Sequence, residues 1–350
     1  MTPGNAQSQP GPRRGRGGKR TGNSERPATG SPVEAVVPAL PEGPFRSGFV
    51  SILGRPNAGK STLLNALVGQ KIAIVADKPQ TTRTAIQGVM NSPGAQVIFI
   101  DTPGIHKADS SLNRRMMGAV RASLDERDLF IYVVDGTHRH FNQEDERALG
   151  ILRPDGPPVI LAVNKADALK SRADLLPVLD EYRRHYSFAE YLPISAMTGE
   201  GLERLSAEVI RRLPEGPEYF PPDHVTDQPA RFLAAELIRE KILQTTRQEV
   251  PHSVAVVIDQ WEEPVAAGKA ALIKIYATVY VERDGQKAIV IGAKGSSLKR
   301  TGMAAREEME ALFGVRVYLD LHVKVEHEWR EKAAFLNALD WRTMAERDEN

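Results

Sequence analysis

The run Gly54-Arg55-Pro56-Asn57-Ala58-Gly59-Lys60-Ser61, followed by Thr62, has the spacing G-x(4)-G-K-[ST]. It follows an apolar stretch and opens a helix-forming one, the context this spacing needs. Its glycines let backbone N–H groups turn inward around phosphate oxygens, and the positive end of the helix dipole adds to the attraction. Lys60 would then contact the β- and γ-phosphates of a nucleoside triphosphate as a point charge, and the Ser61 hydroxyl would ligate Mg²⁺.

Two more segments extend this chemistry. Asp101-Thr102-Pro103-Gly104 follows a second apolar run, which puts Asp101 at the C-terminal edge of a strand, where ligands of such sheets collect. Its carboxylate can reach Mg²⁺ through water, and Gly104 can offer an N–H to the γ-phosphate, so loss of that phosphate would release the loop. The polar segment Lys78-Pro79-Gln80-Thr81-Thr82-Arg83 suits a mobile switch, with Thr82 favoured over Thr81 as a Mg²⁺ ligand. Lys60, Thr82, Asp101 and Gly104 form the expected catalytic set.

Asn164-Lys165-Ala166-Asp167, after another apolar run, separates guanine from adenine. Asp167 can accept from N1–H and the 2-amino group of guanine, and adenine offers neither in that geometry. A carboxylate left buried and unpaired would reject adenine about 10⁴-fold. Asn164 would tie loops together, Lys165 would lay its stem over the base, and Ser195-Ala196 falls where a backbone N–H could meet the guanine O6.

A different chemistry lies near the C-terminus. Gly292-Ala293-Lys294-Gly295 forms a G-x-x-G turn between an apolar stretch and a helix over 297–313. Such a turn lets a sugar-phosphate backbone approach closely while a neighbouring apolar groove takes unpaired bases. Lys294, Lys299 and Arg300 add local positive charge, which the overall net charge of +1 does not reveal.

Short apolar runs alternating with amphipathic helices position the first set of motifs. Strands are expected over 49–53, 97–100, 129–134, 159–163 and 191–194, with helices over 60–68, 114–125, 145–152, 173–185 and 202–213. That alternation predicts an α/β domain over 45–213, with a mostly parallel sheet covered on both faces. The proline-rich stretch 214–229 reads as a semi-rigid linker. Beyond it a helix over 231–246, strands over 254–258 and 272–281, and strict alternation from Val315 to Val325 describe a smaller α+β domain over 230–330, with 331–350 a C-terminal helix or tail. Residues 1–44 are rich in Gly, Pro, Ser and Arg and are expected to be a disordered basic tail, its Arg13, Arg14, Arg16, Lys19 and Arg20 read as solvated charge in preference to a loose hold on RNA or anionic lipid.

Composition excludes several classes. Cysteine is absent, so there are no disulfides and no thiolate chemistry, and no run of about 18 apolar residues suggests a membrane span. His106, His138 and His140 lack metal-like spacing with carboxylates, and Trp261, Trp329 and Trp341 are expected to be packing anchors.

Taken together, the switch segment K-P-Q-T-T-R, D-T-P-G, N-K-A-D, I-S-A-M-T-G-E-G and the C-terminal G-x-x-G frame resemble the Era family of GTPases, from about residue 45 to about 330. The resemblance implies a P-loop NTPase domain followed by a type II KH domain, and slow Mg²⁺-dependent hydrolysis of GTP to GDP. It also implies a monomeric cytoplasmic factor that binds the 3′ end of small-subunit (16S) ribosomal RNA, assists 30S subunit maturation and associates peripherally with the membrane. Ile105 stands where many GTPases have a catalytic glutamine, and Asn57 would hold K⁺. Two alternatives stay open: an RNA-binding scaffold with nucleotide as a structural ligand, and a membrane-associated signalling GTPase whose KH fold makes protein contacts.

Overall fold

A computed structural model of the chain describes residues 1, 43–78, 80–105, 109–138, 140–246, 250–263 and 271–340. The basic tail, His106, Trp341 and Pro79 of the switch segment lie outside the described residues.

Six strands make the first sheet, in the order β2-β3-β1-β4-β5-β6: β1 (Arg46–Gly54), β2 (Ile86–Ser92), β3 (Ala95–Asp101), β4 (Leu129–Asp135), β5 (Val159–Asn164) and β6 (Glu190–Pro193). All neighbours pair parallel except β2 and β3, which are antiparallel. β3, β4 and β5 are buried at every position, the consequence of cover on both faces. One face packs on α1 (Lys60–Val68) and α5 (Leu202–Arg212), the other on α3 (Gln143–Leu149) and α4 (Leu175–His185).

Three expectations need correction. β2 was not anticipated, because its sequence I-Q-G-V-M-N-S has a glycine and polar residues where alternation would be read. Helix α2 is Ser111–Ala122 and α3 starts at Gln143, each earlier than expected, since the Ser110 and Asn142 side chains cap the preceding turns. The stretch 214–229, expected as a semi-rigid linker, is also laced to the first sheet: Val89 N donates to Val225 O at 2.9 Å, Gln96 bonds the backbone of Tyr219 and Phe220, and Phe220 packs on Val89, Ile98 and Ile100. It thereby shields the edge of the sheet.

The second sheet, β7 (Ala255–Glu262), β8 (Leu272–Val281) and β9 (Arg316–Val325), has β8 in the middle, antiparallel to β7 and parallel to β9. Helices α6 (Ala230–Thr245), α8 (Asp284–Ile291) and α9 (Ser296–Phe313) cover one face, and short helices α7 (Val250–Ser253) and α10 (Ala333–Ala338) flank it. Helix α8 ends in the apolar stretch that precedes the G-x-x-G turn. Trp329 is fully buried and donates its indole N–H to Ser253 O at 2.8 Å, while Trp261 stacks edge-on with Phe313.

Candidate nucleotide and RNA sites

The phosphate loop joins β1 to α1. Gly59 has φ +95°, and a Cβ there would run into the Asn164 amide, so glycine is required twice over. Lys60, only 6% exposed, donates to the carbonyls of Gly54 (3.1 Å) and Arg55 (2.9 Å). Burial lowers its pKa to about 8, although Asp101 pulls the other way.

Ser61, Thr82 and Asp101 converge from three separate elements. Ser61 Oγ donates to Asp101 Oδ2 at 2.6 Å, lies 2.7 Å from Thr82 Oγ1, and Thr82 Oγ1 reaches the same carboxylate oxygen at 3.4 Å. Thr81 points elsewhere, donating to Lys78 O (2.6 Å) and Ala76 O (3.1 Å). Asp101 is fully buried and burial raises its pKa to about 6, against the opposing pull of Lys60 and of the hydroxyl bonds. Its Oδ1 is buried without a hydrogen-bond partner among the described residues. An orphan carboxylate oxygen beside two hydroxyls is an all-oxygen donor set that suits a small hard cation.

Thr102 ties this loop to β1 through Ile52 O at 2.8 Å, and Pro103 leads into Gly104, which abuts Pro56 so closely that a Cβ would sit 2.8 Å from its ring. The DTPG turn is thus seated on the phosphate loop. Ile105 is turned into the core beside Leu53, Val120 and Phe130.

On the opposite side of the loop, Asn164 donates to Ala58 O at 2.9 Å and accepts from Ala196 N at 2.9 Å, joining three loops with one side chain. Lys165, held at φ +64°, donates to Asp135 Oδ2 at 2.7 Å. Burial alone would raise the Asp135 pKa, but the bonds from Lys165 and Thr137 bring it below its usual value. Two expectations change. Asp167 is exposed on the turn Ala166–Ala168, so its unpaired state costs little until a base covers it, and the 10⁴-fold figure must be discounted. Ser195 N and Ala196 N already donate to Glu200 O and Asn164 Oδ1, so an oxygen of the base could only share those bonds.

The G-x-x-G turn lies between α8 and α9. Gly292 has φ +72° and ψ 176°, and a Cβ would approach Ser297 Cβ to 2.7 Å, which excludes other residues. Ala293, Lys294, Lys299 and Arg300 are exposed, and none of the three cations has an ion-pair partner among the described residues. Beside the turn, between α9 and β9, a cavity of about 470 Å³ is lined by Gly295, Leu298, Met303, Arg306, Val317 and Leu319, among others. Met303, 49% exposed, was missed by sequence reasoning; its position four residues past Lys299 and three before Arg306, on one helix face, was the available signal.

Sequence reasoning also missed that the second body grips the switch segment. Glu240 of α6 accepts from Val75 N at 2.8 Å and Lys71 Nζ at 2.7 Å, and Arg239 donates to the carbonyls of Gln80 and Thr81. Arg83 donates to Val254 O at 2.7 Å and lies 5.4 Å from the centre of the Trp329 ring; burial and the nearby Arg239 push its pKa down. At the other switch, Glu331 accepts from Ser111 N and Oγ, and Leu112 and Met116 of α2 pack with Ala255, Trp329 and Leu336.

Comparison with known proteins agrees with both halves of this geometry. Residues 49–165 match the model of the 50S ribosome-binding GTPase family, and residues 249–330 match that of the KH domain. The GTPase Era of Geobacter metallireducens is 48% identical over 302 residues, covering 86% of this chain and 100% of its own length. That of Geotalea daltonii is 48% identical over 297 residues, covering 85% and 98%. Among solved structures, Aquifex aeolicus Era bound to GDP and AlF₄⁻ superimposes with a TM-score of 0.79 at 39% identity, covering 85% of this chain and 99% of that one. An Era complex with MgGDPNP and nucleotides 1506–1542 of 16S ribosomal RNA gives 0.80 at the same identity and coverage. With a phosphate loop, a guanine-type NKAD turn and a KH cleft in one chain, and relatives matched along their whole length, this protein belongs to the Era family of GTPases.

Proposed function

We propose that this GTPase is a cytoplasmic, monomeric assembly factor of the small ribosomal subunit that holds the 3′ end of 16S ribosomal RNA in its KH cleft and changes its RNA affinity with its nucleotide state. The observation that carries the reading is the double attachment of α6, which grips the switch segment through Arg239 and Glu240 and packs on α9, the helix that follows the G-x-x-G turn. The relative solved with MgGDPNP and 16S nucleotides has both ligands together.

In this reading Gly54 to Thr62 cradle the phosphates, Lys60 turns from its loop carbonyls to the β- and γ-phosphates, and Asp167, Asn164, Lys165, Ser195 and Ala196 form the base site. Ser61 and Thr82 would hold Mg²⁺ directly and Asp101 through water. Bound there, the cation would neutralise charge developing on the transferred phosphoryl group. Gly104 supplies an N–H toward the γ-phosphate. Because Ile105 is packed inward, no side chain at that position orients the attacking water, and intrinsic turnover should be slow. Asn57, exposed at the tip of the loop, would hold K⁺ against the phosphates; equal turnover in sodium and potassium buffers would refute that role. Lys294, Lys299 and Arg300 would contact RNA phosphates, and the cleft beside Gly292, Ala293 and Gly295 would take bases.

No helix among the described residues is long and apolar enough to cross a membrane, so membrane association would be peripheral. The test is RNA affinity for a 3′-terminal 16S oligonucleotide measured with GDP and with a non-hydrolysable GTP analogue. A difference supports a switch; equal affinities would leave a scaffold with nucleotide as a structural ligand. Gly292→Asp should abolish oligonucleotide binding and spare hydrolysis; retained binding would place the RNA site elsewhere.

A further inference from the structure

We propose that Arg239 is a positioning residue for hydrolysis, a latch on the carbonyls of Gln80 and Thr81 that keeps the next residue, Thr82, beside Ser61 and Asp101. The proposal rests on the reading of Thr82 as a Mg²⁺ ligand.

Arg239 is 2% exposed in the middle of α6. A buried guanidinium survives only where its donors are used, and here they are. Nε donates to Glu236 Oε1 at 2.7 Å and Nη2 to Glu236 Oε2 at 2.6 Å, so the carboxylate fixes the plane of the fork. Of the remaining donors, Nη1 gives one to Gln80 O, at 3.3 Å, and Nη2 its second to Thr81 O. These two carbonyls stand directly before the residue whose hydroxyl lies 2.7 Å from Ser61 Oγ.

The chain just ahead of that segment is held by the next residue of the same helix, since Glu240 accepts from Val75 N, and Ile74, 3% exposed, packs in the core of the second body. Glu308 of α9 pairs with Lys71 and Lys241, so the helix following the G-x-x-G turn joins the same grip. Arg239 holds the two residues before Thr82, while the residue after it, Arg83, donates to Val254 O, so the latch is the contact on the N-terminal side of the hydroxyl cluster. Displacement of α6 by an RNA-bound cleft would pull or relax those carbonyls, and by linkage a nucleotide that fixes Thr82 would bias α6 by the same factor.

The full chain is tested as wild type, Arg239→Gln, Arg239→Lys, Glu236→Ala and Thr82→Ala. Hydrolysis is titrated with Mg²⁺, GDP affinity is measured as a reaction-independent control, and affinity for a non-hydrolysable GTP analogue is measured with and without a 3′-terminal 16S oligonucleotide. Arg239→Gln should raise the Mg²⁺ half-saturation of hydrolysis about tenfold, leave GDP affinity within about twofold, and shrink the oligonucleotide effect below about twofold. Arg239→Lys should recover only part, because one ammonium cannot span two carbonyls and a carboxylate. Glu236→Ala, which frees the fork without emptying a buried site, should shift the same readouts in the same direction by less, and it decides the matter if Arg239→Gln does not fold. A folded variant of either position with Mg²⁺ half-saturation and oligonucleotide effect at wild-type values overturns the latch. If Thr82→Ala raises the half-saturation and the Arg239 variants do not, only the latch falls. If Thr82→Ala leaves it unchanged as well, the ligand assignment itself falls and the latch with it.

Discussion

The two ends of the nucleotide cleft are held in different ways. On the base side Asn164 links Ala58 to Ala196, and Lys165 pairs with Asp135, all within the first body. On the phosphate side the anchors come from the second body: Arg239, Glu240, the carbonyl of Val254 that receives Arg83, and Glu331 on the first turn of α2. Recognition of the base is therefore self-contained, while the hydrolytic loops share their support with the RNA module. Under the proposed function, this division would let a nucleotide be chosen once and its phosphate state be reported outward.

The largest expected effect tests the self-contained side. Asp167→Asn exchanges an acceptor for an amide donor, which no longer fits the 2-amino group of guanine but fits the 2-oxo group of xanthine. GTP affinity should fall roughly 10³-fold, less than for a buried carboxylate, and XTP should become the preferred ligand. Binding competition with XTP, GTP and ATP checks this. If the comparison holds, XTP on the variant should alter RNA affinity as GTP does on the wild type. A loss of GTP binding with no gain for XTP would make Asp167 a structural residue of its turn instead.

The phosphate side should carry the pH dependence. In the proposed site Lys60 must be protonated to hold phosphate, and with its pKa lowered to about 8 by burial, GTP affinity should fall about tenfold per pH unit above that value. In the same proposed site Asp101 must be ionised to hold Mg²⁺, so apparent Mg²⁺ affinity should fall at the same rate below about pH 6, and Asp101→Asn should flatten that limb. Stability of the nucleotide-free protein follows with opposite signs. Asp101, raised in the folded state, favours folding most below its unfolded pKa of 3.8 and loses that contribution as pH rises through about 6. Lys60, lowered in the folded state, disfavours folding below about 8 and ceases to do so as pH rises toward 10.5. Both groups thus destabilise the protein between pH 6 and 8, and nucleotide with Mg²⁺ should raise the melting temperature most in that window.

The base side was largely legible in the sequence because its residues are contiguous and sit at the ends of buried strands: 164–167 follow β5 and 195–196 follow β6. Spacing alone located Gly54 to Ser61, and the alternation from 315 to 325 located the edge strand whose Val317 is buried and whose Arg316 and Tyr318 are exposed. What spacing could not give was the grip of α6, since Arg239 lies 157 positions from Thr82 in the chain (239 − 82) and an Arg-Glu pair on a helix reads as solvated surface. The exposure of Asp167 was equally illegible, because burial of a turn residue depends on what packs above it. The lacing at 214–229 was missed for a different reason: proline-rich chain pairs with an edge through single carbonyls such as Val225 O, leaving no periodic pattern to read.

The smallest effect is expected at Thr81, and it discriminates more sharply than its size suggests. Its hydroxyl closes the local turn through Lys78 O and Ala76 O, while its carbonyl receives Arg239. Thr81→Ala removes only the former, at a cost of about 1 kcal/mol to the turn, and the backbone latch remains. kcat at saturating GTP and Mg²⁺ should therefore stay within about threefold of wild type, whereas Thr82→Ala at the adjoining position should lower it roughly a hundredfold. Neighbouring threonines of the same size, one tied to its own turn and one to the buried carboxylate, would then differ in function because of direction alone. Equal damage at both positions would mean that the whole segment, and not the hydroxyl beside Asp101, is what hydrolysis needs.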